Sequence, residues 1–95
     1  MARTGSGKKL DLAFAGEIKR LREDSGLSQT DLASELGVDQ SLVSRVEAGS
    51  RQLTLGQAMY WLQALGLSCE DASSLVANLW GHNGARPRSF WSAEN

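Results

Sequence analysis

Gln40, Ser41, Ser44 and Arg45 sit at the spacing that gathers side chains on one face of a helix. Amide, hydroxyl and guanidinium groups side by side exchange hydrogen bonds with a polar surface. They do not make up a nucleophile with its base. The other reactive residue types are scarce. Cys69 and His82 are the single cysteine and single histidine of the 95-residue chain, and they lack the ligand count and spacing of a zinc site. A lone thiol forms no internal disulfide and suits a reducing cytoplasm; Cys69 is expected to be a small buried hydrophobe. Ser28, Asp31 and Asp39 are each explained as helix caps. With no Gly-rich phosphate loop either, no enzymatic activity, metal or cofactor is expected.

The polar face needs a scaffold, and the pattern predicts an all-α, compact five-helix bundle. Phe14, Ile18 and Leu21 mark a first helix over Asp11–Asp24, ended by Gly26. Ser28 with Asp31 opens a second helix as a capping box, and Leu32 and Leu36 face inward. Gly37 makes the turn. Asp39 caps a third helix whose buried positions are Val43 and Val46, opposite the polar face. Thr54 starts a fourth, with Leu55, Ala58, Met59, Leu62 and Leu65 as its apolar stripe and Trp61 beside it. Ser68 with Asp71 starts a fifth, with Leu75, Val76 and Leu79 on its apolar side. The expected organisation is a disordered basic arm over 1–9, one domain over 10–80 and a flexible tail over 81–95.

Charge is unevenly placed. The net charge is −1, yet residues 10–67 hold eight acids against five bases. The spare positive charge lies outside that span, in Arg3, Lys8, Lys9, Arg86 and Arg88. A strong nucleic-acid binder usually shows a basic face. No segment has the composition of a signal peptide or the length of a membrane span.

The stretch LSQTDLASELGVDQSLVSRVEAG carries the strongest pattern. At fixed distances after Gln29, the residues Leu32, Ala33, Leu36, Gly37, Val38, Val43 and Val46 supply what two crossed helices with a tight turn need. Ala33 is small enough for the third helix to cross closely. With IKRLRE before it and TLGQAMYWLQALGLS after it, this span resembles the Cro/phage-repressor (XRE-like) type of helix-turn-helix DNA-binding domain.

The resemblance implies a small, mostly dimeric, cytoplasmic transcriptional regulator whose partner is double-stranded operator DNA. By position, it implies that Gln40, Ser41, Ser44 and Arg45 face base edges. It implies that Gln29, Ser50 and Arg51 contact phosphate, and that Arg22 and Glu47 form a structural ion pair. Glutamine suits adenine and arginine suits guanine. The departures are the acid at Asp39, the apolar Leu42 on the flank expected to be exposed, and the missing lysines around the loop after the third helix. They keep a second reading open, a protein-binding regulator (antiactivator or antitoxin-like) that sequesters another regulatory protein. Leu75, Leu79, Trp80, Phe90 and Trp91 form the candidate dimer or partner surface.

Overall fold

The computed structural model describes residues 4–83, which form α1 (Thr4–Asp24), α2 (Gln29–Leu36), α3 (Gln40–Glu47), α4 (Leu55–Ala64) and α5 (Cys69–Asn83). No strand occurs among the described residues. α2 packs on α3, α1 on both α3 and α5, and α2 on α4.

The helix starts follow from local hydrogen bonding. Ser28 Oγ accepts from the Asp31 N–H at 3.0 Å, and the Ser28 N–H donates to Asp31 Oδ2 at 2.9 Å. The backbone bond from Ser28, then its side-chain bond, hold the Asp31 carboxyl below its ordinary value of 3.8. Thr54 and Gln57 form an equivalent box at α4, where only the threonine cap is expected from the sequence. Ser68 Oγ accepts from the Asp71 N–H at the start of α5. Asp39 occupies the capping position of α3, but its side chain makes no capping bond. It is exposed, and water satisfies an exposed carboxylate about as well as a backbone N–H does. Gly37 adopts φ 72°, and the Val38 N–H turns back to Ala33 O at 3.0 Å. This left-handed closure lets α3 leave α2 at a sharp angle.

Ile18, Leu32 and Val43 are fully buried at the centre, ringed by Ala33, Leu36, Val46, Trp61, Leu62 and Leu65. α4 meets this core through a different face from the expected stripe. Leu55 and Met59 are 79% and 58% exposed, whereas Trp61 is 3% exposed. Burying the large indole turns the Ala58–Trp61–Leu62–Leu65 side inward, which displaces Leu55 and Met59 outward.

Three further expectations are corrected. α1 begins at Thr4, so residues 4–9 of the expected arm are helical. No proline interrupts them, and each residue added to an existing helix gains a backbone bond. α5 runs on to Asn83, and the remainder of the expected tail, with Phe90 and Trp91, lies outside the described residues. Cys69 is exposed, because it is the first residue of α5, where the helix has no preceding turn to cover it.

Leu32→Ala is expected to lower unfolding free energy by about 2–5 kcal/mol, since the site is walled in and cannot collapse fully. Urea denaturation checks this, and a loss well under 1 kcal/mol would show a looser core. The Asp31 box has a pH signature. A depressed folded-state pKa contributes stability above the unfolded value, lost as pH falls through the folded one. The stability gap between wild type and Asp31→Asn should therefore narrow as pH drops below 3.8.

Candidate nucleic-acid interface

α3 has two faces. Val43 and Val46 are buried, and Leu42 is half-buried against the same core rather than standing on an exposed flank. Opposite them, Gln40, Ser41 and Arg45 are exposed and Ser44 is half-buried. Leu42 packs inward because α3 lies on α2 and the core reaches this flank of the helix as well.

A chain of hydrogen bonds braces the start of α3. Arg22 Nε donates to Glu47 Oε2 at 2.6 Å, and Nη2 donates to Oε1 at 3.0 Å. This is a two-pronged pair with side chains only 9% and 3% exposed. Arg22 Nη1 also donates to Leu27 O at 2.7 Å. The bond to Glu47 raises the Arg22 pKa, against the opposing effect of burial. Gln29 Nε2 donates to the same Glu47 Oε1 at 3.0 Å. Gln40 Nε2 donates to Gln29 Oε1 at 2.6 Å.

These bonds leave specific groups available. A glutamine amide has two N–H donors and one carbonyl. Gln40 keeps one N–H and its carbonyl, the donor–acceptor pair that matches the edge of adenine. Gln29 keeps one N–H. Arg45 has no ion-pair partner among the described residues, so its guanidinium is available to a ligand.

The loop after α3 closes on the helix end. The Arg45 carbonyl accepts from the Ser50 and Arg51 N–H groups at 3.0 and 3.2 Å, and from Ser50 Oγ at 3.2 Å. Gly49 makes this possible with φ 81°, and Leu12 of α1 lies directly over it. Gln52 Nε2 donates to Asp11 Oδ2 at 2.8 Å, which ties the loop to α1 a second time. Ser50 and Arg51 are thereby held exposed beside α3. The Asp11–Gln52 bond gives no signal in the sequence, since neither residue belongs to a periodic pattern.

A second feature reaches from the end of α3 across to α5. α1, the loop before α4, α4 and α5 enclose an apolar groove of about 370 Å³, lined in part by Phe14, Leu53, Leu62, Val76, Leu79 and Trp80. Trp80 is 67% exposed and Val76 48%. Leu79 and Trp80 thus share one surface. Leu75 instead packs against the core from a separate cleft beside Leu21 and Leu67. It is one turn back from Leu79 and rotated toward α1.

Two short helices crossing at a glycine turn, with a polar outer face, define the helix-turn-helix class. The family model described as "Helix-turn-helix domain" matches residues 13–75, more than half of the chain. The chain belongs to the helix-turn-helix domain family. Among solved structures it is similar to the restriction-modification controller protein C.Esp1396I, crystallised as a tetramer with its natural 35 base-pair operator. The two are 26% identical with a TM-score of 0.64, covering 74% of this chain and 91% of that one. No curated protein matches the chain.

Arg22→Met alone should destabilise the fold by about 3–5 kcal/mol, because Glu47 is left as an unpaired buried charge. Arg22→Met with Glu47→Leu should recover most of that loss. A double-mutant cycle in urea measures the coupling; a double variant no better than the single one would refute this account.

Proposed function

We propose that the chain is a sequence-specific DNA-binding transcriptional regulator that acts in the cytoplasm as a homodimer and places α3 in the major groove. The observation that carries this reading is the outer face of α3. It presents the exposed Gln40, Ser41 and Arg45, with Gln40 oriented by Gln29. Membership of the helix-turn-helix family and likeness to a controller protein solved on its operator support it.

In this reading Gln40, Ser41, Ser44 and Arg45 meet base edges, while Gln29, Ser50 and Arg51 meet phosphates. Gln29 serves doubly, since one N–H remains after it braces Gln40. The Arg22–Glu47 pair is structural. The groove beside Leu79 and Trp80 forms the dimer surface, because an apolar patch flanked by an exposed indole is costly to leave in water. A two-fold dimer spaces its α3 helices by about 34 Å, one turn of DNA.

A second reading has a specific observation behind it. Residues 10–67 are acidic on balance, and the apolar groove would equally seat a partner protein that the chain sequesters. Leu42 no longer supports it, being packed against the core.

The deciding experiment is binding to DNA from immediately upstream of the chain's own gene across a salt series. Affinity should fall steeply with salt. Arg45→Ala should reduce discrimination between that DNA and random sequence by about 1–3 kcal/mol while the protein stays folded. A folded wild type that binds no DNA at low salt would favour the sequestering role.

A further inference from the structure

The loop that bears Ser50 and Arg51 has a neighbour that the sequence separates from it widely. Leu12 of α1 covers Gly49 so closely that a Cβ added there would meet Leu12 Cδ2 at 2.5 Å. Asp11, the preceding residue, bonds to Gln52. This part of α1 therefore lies against the loop that bears Ser50 and Arg51. On a helix, the residues that flank Leu12 one turn toward the N-terminus are those three and four positions earlier, Lys9 and Lys8. Side chains on a helix also lean toward its N-terminus, so both lysines project beyond the point where Leu12 meets Gly49.

α1 continues unbroken through these positions, starting at Thr4, so the backbone holds the lysines at a set distance from the loop. Lys8 and Lys9 are exposed, and neither forms an ion pair with a described residue. Of the other exposed bases of α1, Arg20 is engaged by Glu17 and Asp24, and Lys19, which forms no ion pair with a described residue, lies about two turns beyond Leu12 toward the C-terminus. The eight acids and five bases of residues 10–67 leave the α3 loop with Arg51 as its one base.

We propose that Lys8 and Lys9 form a second phosphate-binding site, which extends the DNA contact from the α3 loop onto the first turns of α1. The ligand is the duplex backbone, contacted without regard to base sequence. The proposal rests on the DNA-binding reading and deepens it. α1 supplies the positive charge missing from the loop, and Leu12 and the Asp11–Gln52 bond keep the two anion-facing segments in register.

The test is affinity for a random-sequence DNA duplex as a function of salt, for wild type, Lys8→Gln, Lys9→Gln, the double variant and Arg20→Gln. Each released phosphate contact changes the slope of log K against log salt by about 0.9. Each single variant should flatten the slope by about that amount, and the double by about twice as much. Arg20→Gln removes the same charge from α1 about three turns nearer its C-terminus and should leave the slope unchanged. Circular dichroism establishes that each variant is folded. A double variant with the wild-type slope, or an Arg20→Gln slope that falls equally, would overturn the proposal while leaving DNA binding intact. A wild type that binds no duplex would overturn both readings.

Discussion

The arrangement depends on one buried ion pair. Arg22 and Glu47 lie at the ends of α1 and α3, and both have been taken out of water. Two desolvated charges are tolerable only when geometry is good and the remaining donors and acceptors are filled. Here they are: Arg22 also reaches the Leu27 carbonyl, and Glu47 also receives Gln29. Among the described residues, no buried side-chain nitrogen or oxygen lacks a partner. The pair thus fixes the α1–α2 connection, the start of α2 and the end of α3 relative to one another. Because Gln29 carries the chain of bonds on to Gln40, a structural charge orients a side chain on the outer surface.

That linkage accounts for how a helix as short as α3 presents a defined surface. A helix of two turns has little stability of its own in water. Its inner side is held by Val43 and Val46 in the core, its start by Gln40 and Gln29, and its end by the loop folding onto the Arg45 carbonyl. The outer face inherits the rigidity of these three supports. The same division explains the charge pattern: acids such as Glu47 and Asp31 serve pairing and capping, so an acidic sum does not describe the surface that α3 presents.

Beside α4 and α5 the molecule is apolar where it opens to solvent. A domain of this size buries a modest fraction of its surface, and its core is small. The groove beside Val76, Leu79 and Trp80 is surface left over after α4 turned Trp61 inward. Covering it would add apolar burial to a marginal fold, which couples stability to association.

Much of the architecture was legible in the sequence. Helix starts followed from Ser28, Thr54 and Ser68, the turn from Gly37, and the central core from Leu32, Ala33, Val43 and Val46, because these rest on short-range bonding and periodicity. The polar face of α3 was legible for the same reason. Tertiary structure alone decided the rest. It buried Trp61 in place of Met59, drew Leu42 inward, left Asp39 without a capping bond and set Leu12 over Gly49. It also joined Asp11 to Gln52 and Gln29 to Gln40. Periodicity states which side of a helix is apolar, but neighbouring helices choose among nearly equivalent faces by volume. Hydrogen bonds between residues far apart in the chain exist only once that choice has been made.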